Sequence, residues 1–442
     1  MPVEMAKSAA RKLRFGAFEV DLRNRELRKS GLRLKLQQKP FQILEALLET
    51  PGALILRADL AQRLWPDLHV NFDRSLNTAV NALRQALADS PRNPRFIETR
   101  PGLGYRFLAS VEEIEERAAA PKQAARDPEA HQDYLRGRFF LNKLTEEDLH
   151  KAVAHFESAV AQDRGCALAY AGLAEAYGMF AILNMLPASV AGSRARQMAA
   201  AALRVAPDLA EAHSACASVK ALFERDWDGA QACHMQALQL NPASAIVRHN
   251  YGHYLAAAGR AQEASAQLEQ ARAIEPLSLA IHAGIAWSLY VGRDFARAAE
   301  ESWKALALDA RFAAAQHTLG LAYAQIGMTE EAIVEQRNAR VCTGGSPAVL
   351  AALVHAYATA QQPEQAAEAL RELRALSEKR YVSPYWYAIA YAGLRDDPAA
   401  LDALEQACQE RDVWLMWANV EPRFDHLRTH PRFRTLLRAI GF

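Results

Sequence analysis

The chain has 442 residues, too many for one hydrophobic core, and its 51% hydrophobic and 23% charged content excludes a disordered or fibrous class. No run of about 18 apolar residues occurs, which argues against a spanning helix; five scattered cysteines without a C-x-x-C pair argue against a zinc ribbon or disulfide framework and fit a reducing cytoplasm. The net charge of +1 conceals a split: residues 1–110 hold 19 Lys+Arg against 11 Asp+Glu and the remainder 33 against 40, so a polyanion partner is expected for the first part alone.

Residues 1–12 read as a basic tail, with no apolar stretch after it to make a secretory signal. Residues 13–112 then mix strand and helix signals. "FGAFEVD" (15–21) alternates apolar and polar residues, and "RELRKSGLRLKL" (25–36) predicts two short strands about a turn at Ser30-Gly31. "KPFQILEALLETPG" (39–52) predicts a helix with Phe41, Leu44 and Leu48 on one face, ended by Pro51-Gly52. "RADLAQRLWPD" (57–67) predicts a second, short helix stopped by Pro66.

The third helix falls in "NFDRSLNTAVNALRQALAD" (71–89). Leu76, Val80, Leu83 and Leu87 share one side of a helical wheel and form the expected buried seam. Arg74, Asn77, Thr78, Asn81, Arg84 and Gln85 fall opposite, and no acid stands between Arg74 and Ala88. Such a face offers cations for phosphates and amides for base edges. "RFIETRPGLGYRFLA" (95–109) predicts a closing hairpin with Gly102 and Gly104 at its turn. A small sheet, three helices and a hairpin fit an α+β winged helix-turn-helix.

Residues 113–128 are too poor in apolar residues for a core and read as a linker. From 129 to 442 the pattern is helical and repetitive. Over 245–373 four units recur at 34 residues: Gly252, Ala286, Gly320 and Val354 share one position, and Ala264, Ala298, Ala332 and Ala366 another. Ala271, Ala305, Ala339 and Leu373 share a third, and Leu255, Leu289, Tyr323 and Tyr357 supply the larger partner. Small residues let paired helices approach, and large ones fill the space between pairs. This predicts an all-α superhelix, a solenoid of about eight helix-turn-helix repeats. Residues 422–442 are expected to cap its last unit, with Tyr381, Tyr385, Trp386, Tyr387, Trp414 and Trp417 as cap core.

"KPFQILEALLETPG", "LWPD", "DRSLNTAVNALRQAL" and "FIETRPGLGYRF" resemble the effector domain of OmpR/PhoB-type response regulators, over roughly 13–110. The resemblance implies that 73–88 is the recognition helix and that 95–109 forms the wing. It implies contact with RNA polymerase through 66–72. Arg74, Asn77, Thr78, Asn81 and Arg84 match family positions that contact DNA, and Thr99 matches a wing position that contacts phosphate. There are departures. Asn81 and Ala82 stand where cations are common, and Pro101 holds the wing position usually given to arginine, with Arg100 before it. No phospho-accepting receiver precedes the module, so the expected arrangement is a one-component regulator. It is similar to CadC-like proteins but without their membrane helix, hence cytoplasmic. Relatives bind DNA side by side, which implies a homo-oligomer on double-stranded promoter DNA.

The repeats resemble tetratricopeptide (TPR) units, in which set positions of each first helix line a concave groove. That resemblance puts His249, His253, Trp287, Tyr290, His317 and His355 in a groove for a peptide, protein or small-molecule ligand, with imidazoles that titrate near pH 6–7. No metal site and no cofactor are expected, because His249 and His253 lack an acidic or thiol companion. No G-x-x-x-x-G-K-[ST], H-E-x-x-H or G-x-S-x-G occurs, so an enzyme is not expected. The alternative to a DNA-binding regulator is a scaffold or adaptor whose winged helix contacts protein.

Overall fold

The computed structural model describes residues 12–22, 25–29, 32–34, 36–64, 73–91, 93–114 and 127–442. The chain divides into two compact units, Met1–Lys122 and Gln123–Phe442.

The first unit opens with an antiparallel meander of β1 (Lys12–Phe15), β2 (Phe18–Asp21), β3 (Glu26–Lys29) and β4 (Leu32–Leu34). "FGAFEVD" is therefore a strand end, a turn and a second strand rather than one alternating run. Gly16 takes φ 55° at that turn, a conformation open to glycine at little cost. Every second residue faces inward, so Leu13, Phe15, Phe18, Val20 and Leu27 are buried. Next come α1 (Gln38–Glu49), β5 (Leu54–Leu56), α2 (Arg57–Leu64), α3 (Asp73–Leu87), β6 (Ile97–Arg100), β7 (Gly104–Phe107) and β8 (Glu112–Ile114). The sheets run β4-β3-β2-β1-β8 and β5-β7-β6.

β5 and β8 are three residues each, too short for alternation to reveal. β8 pairs with β1 through Glu113 and Ile114, residues expected to begin the linker. Gly104 lets β5 approach β7, since a Cβ there would stand 1.9 Å from the Ile55 carbonyl oxygen. The apolar stripes of α1 and α3 pack together over this sheet pair. Phe15, Phe18, Phe96 and Phe107 close the core with edge and stacked ring contacts at 4.9–6.4 Å. The result is a winged helix-turn-helix, with the three-stranded sheet as the wing.

The second unit is all helix, in eight antiparallel pairs. They are α4 (Pro128–Leu141) with α5 (Glu146–Gln162), α6 (Ala167–Ile182) with α7 (Ala188–Val205), α8 (Ala210–Val219) with α9 (Trp227–Leu240), and α10 (Ala245–Ala257) with α11 (Ala261–Ile274). Then follow α12 (Leu279–Val291) with α13 (Phe295–Leu308), α14 (Ala313–Gln325) with α15 (Thr329–Thr343), α16 (Pro347–Thr359) with α17 (Pro363–Ser377), and α18 (Pro384–Gly393) with α19 (Asp397–Gln409). Four first helices begin at 245, 279, 313 and 347, the expected 34-residue register. Its small positions are where backbones meet: Ala264, Ala298, Ala332 and Ala366 are fully buried, and a Cβ on Gly252 would stand 2.6 Å from Leu268.

Residues 410–442 are more than a cap on the last pair. They form two 3-10 turns, Val413–Trp417 and Pro422–Leu427, and α20 (Pro431–Ala439). The Trp414 indole donates to the Ile182 carbonyl at 2.9 Å, and the Trp227 indole donates to that of Ile440 at 3.1 Å. Ser383 N–H donates to Asn184 Oδ1 at 3.0 Å, and Arg380 pairs with Glu146 at 2.8 Å. The last repeat and the tail thus bury surface of the first three repeats, and the solenoid closes on itself.

Candidate nucleic-acid interface

On α3 the seam is as expected: Leu76, Val80, Leu83 and Leu87 are at most 1% exposed. Asn77, Thr78, Asn81 and Gln85 lie exposed on the opposite side. Arg74 stands in the first turn, and its side chain lies outside the described residues, as does the 66–72 segment expected to meet RNA polymerase. Helix α3 ends at Leu87, Ala88 follows it with φ 51°, and the Asp89 carboxylate accepts from the N–H groups of Arg95 at 2.7 Å and Ile97 at 2.9 Å. That cap fixes the wing's first strand to the helix end.

Arg84 is a correction. It is only 7% exposed and does not share the outward face of Asn77 and Asn81. Its Nη2 donates to the Ile97 carbonyl at 2.8 Å and to Thr99 Oγ1 at 2.7 Å. The wheel angle was sound, but the wing covers that flank of the helix. Arg84 therefore positions the wing strand, and the Thr99 hydroxyl is held as its acceptor.

The two asparagines differ. Asn77 Oδ1 accepts from Tyr105 Oη at 3.0 Å and from Arg57 Nη2 at 3.1 Å, while Arg57 Nη1 donates to Tyr105 Oη at 2.8 Å. A guanidinium can only donate, so the amide oxygen faces Arg57 and the Nδ2 donors face outward. Among the described residues Asn81 has no such tether. Arg57 and Tyr105 escape sequence reading because they lie 20 and 28 positions from Asn77, on other elements. In the wing, Arg100 is half exposed but pairs with Glu98 at 3.1 Å, and Arg106 approaches the same carboxylate at 3.6 Å.

The expected groove of the repeat body is partly filled where its candidate residues lie, and its four histidines and Trp287 are half-buried. Trp287 packs edge-on against Trp417 at 5.4 Å and Trp414 at 5.9 Å, and the buried Tyr290 hydroxyl donates to Glu421 at 2.9 Å. His253 packs on Trp417 and on His249, and both imidazoles abut Gly284 of the next repeat. His317 Nδ1 meets Gln336 at 2.8 Å, and His355 packs against Gly393. The chain's own 413–427 segment occupies this stretch. Concavities remain beside His355, lined also by Gly320, Gln325, Gln336 and Arg423, and nearer the body's start, lined by Tyr134, Glu211, Asn250 and the Arg138–Glu175 ion pair.

Nor do these histidines titrate near neutrality. Burial pushes His253 and His355 down to about 3 and His317 to about 4, and lowers His249 as well. Unfolded imidazoles titrate near 6.5, so below that value the folded state binds fewer protons than the unfolded one. Stability is full above about pH 6.5 and declines as pH falls toward 4, by up to about 1.4 kcal/mol per pH unit for each imidazole. Unfolding midpoints measured at stepped pH should show this decline before the carboxylates titrate; a flat profile down to about pH 4.5 would contradict it.

The fold and site define a class: a winged helix-turn-helix, with an acid-free outward face on its third helix, joined to a body of tetratricopeptide-like helix pairs. Residues 31–107 match the family described as "Transcriptional regulatory protein, C terminal", so the N-terminal unit carries a domain of that family. The chain is 34% identical over 105 residues to the cholera toxin transcriptional activator of Vibrio cholerae, spanning 23% of this chain and 36% of that relative. It is 31% identical over 93 residues to the transcriptional regulatory protein KdpE of Mycobacterium tuberculosis, 21% of this chain and 41% of that one. The structure of the Klebsiella pneumoniae RstA DNA-binding domain in complex with RstA box is similar at 29% identity and TM-score 0.21, covering 22% of this chain and 96% of that one. The chain thus spans well under half the length of these two curated relatives. Among the described residues no helix is long and apolar enough to cross a membrane.

Proposed function

We propose that the chain is a sequence-specific DNA-binding transcription regulator that acts in the cytoplasm. Helix α3 enters the major groove of promoter DNA, the β6–β7 hairpin lies along the flanking backbone, and the repeat body supplies signal input, partner binding or oligomerisation. The observation that carries the reading is the outward face of α3, with Asn77, Asn81 and Gln85 exposed and no acid among them, on a domain of a transcriptional regulatory family.

The geometry supports a role for each residue. Asn81 keeps both halves of its amide for a base edge and suits the bidentate pattern of adenine. Asn77, with its oxygen committed to Arg57 and Tyr105, offers donors only and suits an acceptor such as guanine O6 or N7. Thr78 belongs to the same face. Arg74 and Arg100 serve phosphates, Arg100 by exchanging Glu98 for the backbone, with Thr99 beside it. Contact of 66–72 with RNA polymerase and assembly of more than one copy on DNA belong to the same proposal. A ligand of the body has its place at the Arg138–Glu175 concavity or at the one beside His355, because the tail fills the stretch around Trp287 and Tyr290. No reaction is assigned to the protein.

The test is binding of the full chain to a labelled pool of random duplexes as salt is raised. With about two cationic phosphate contacts the logarithmic slope is about −1.8, so affinity should fall about tenfold between ~50 and ~200 mM salt. Absence of binding at ~50 mM salt contradicts the proposal and favours the adaptor reading.

A further inference from the structure

Cys216 on α8 and Cys233 on α9 are the two arms of one helix hairpin, with their sulfurs 3.8 Å apart across 17 positions of sequence. Both are partly exposed, whereas Cys166 is buried and Cys408 accepts from Arg225 at 3.6 Å. A disulfide needs about 2.05 Å between sulfurs, a closure within reach of χ1 rotation when the thiols already touch. Lys220, paired with Asp226 in the connection between the two helices, adds a smaller contribution that favours either thiolate. The contact between the two sulfurs works to lower Cys233 and to raise Cys216.

We propose that Cys216 and Cys233 are a reversible dithiol–disulfide pair, through which a peroxide-class oxidant modifies the repeat body. The Cys233 thiolate attacks one peroxide oxygen; the O–O bond breaks, the other oxygen leaves as hydroxide and takes up a proton, and the sulfur becomes a sulfenic acid. Cys216 then loses its proton and attacks that sulfur. The S–S bond forms as the S–O bond breaks and water leaves. Overall two thiols and hydrogen peroxide give one disulfide and two waters. A reducing dithiol reverses this by two exchange steps. The bond staples α8 to α9 beside the π turn Lys220–Glu224, which packs against the tail segment 413–417. The inference does not depend on the DNA-binding reading.

The experiment treats the reduced full chain with hydrogen peroxide, alkylates it under denaturing conditions, and maps tryptic peptides by mass. Lys220 and Arg225 lie between the two cysteines, so trypsin places them in different peptides and a bond between them joins the two. The expected result is a joined pair about 2 Da lighter than its separate thiol forms, abolished by dithiothreitol. In Cys216→Ser the sulfenic acid has no resolving thiol, and Cys233 should take up dimedone instead. Both cysteines alkylated separately, Cys233 carried to sulfinic acid with Cys216 still a thiol, or bonds only to other cysteines would overturn the proposal. If Cys216→Ser does not fold, the map of the unsubstituted chain decides alone.

Discussion

Arg423→Ala is expected to destabilise the repeat body by about 3–5 kcal/mol, the cost of leaving a buried charge without its partner. Arg423 is 4% exposed and Glu421 fully buried. Their bonds are bidentate, Nε to Oε1 at 2.8 Å and Nη2 to Oε2 at 2.9 Å, and Tyr290 donates to the same carboxylate at 2.9 Å. Burial works to raise the Glu421 carboxyl, but Arg423 and the Tyr290 hydroxyl outweigh it and hold the group below the usual range. Removing the guanidinium leaves that anion between the tail and α12. Six of the seven tryptophans lie in the second unit, so fluorescence during denaturant titration reports on this body. The double variant Glu421→Leu plus Arg423→Met should recover part of the loss, because an apolar pair removes the orphan charge but leaves the buried Tyr290 hydroxyl without its acceptor. A cost under about 1 kcal/mol for Arg423→Ala would mean that the tail does not close the solenoid as described.

Arg84→Ala should cost the winged helix about 2–3 kcal/mol and weaken DNA binding without altering base preference. Its guanidinium joins α3 to the Ile97 carbonyl and the Thr99 hydroxyl, and both acceptors lose a charged donor in the variant. The wing then loosens relative to the helix. Arg84→Lys should restore only part of this, since one ammonium lacks the fork that spans both acceptors. Asn81→Ala is the contrast: an exposed amide, untethered among the described residues, should change stability by less than about 0.5 kcal/mol while changing which bases are preferred. Hydrogen exchange of the β6 and β7 amides, beside binding by each variant, separates the two. Unchanged wing exchange in Arg84→Ala would show that the arginine does not hold the wing.

Much of the architecture was legible because it is local. The 34-residue spacing of Ala264, Ala298, Ala332 and Ala366 follows from one helix pair repeating its own contacts, and each of these alanines is buried where its neighbour is. The seam of α3 was legible for the same reason. What escaped was decided by partners distant in sequence. The helical wheel gives Arg84 its angle, but whether that flank meets water depends on a wing 13–15 positions on. Tyr290 meets Glu421 across 131 positions, and Trp414 meets Ile182 across 232. No periodicity encodes those contacts, so Trp287 and Tyr290 at groove positions read as available where the chain's own tail packs on them. The Cys216–Cys233 pair was hidden likewise, by a spacing that becomes contact only once the hairpin folds.

Selection of the full chain against a randomised duplex library, sequenced in parallel with the Asn77→Ala plus Asn81→Ala variant, tests the central claim most directly. The account predicts one enriched motif for the unsubstituted chain, and for the variant retained low-salt affinity with that motif gone. The same motif enriched by both proteins would contradict base reading by this face of α3, and no motif from either would contradict sequence recognition altogether.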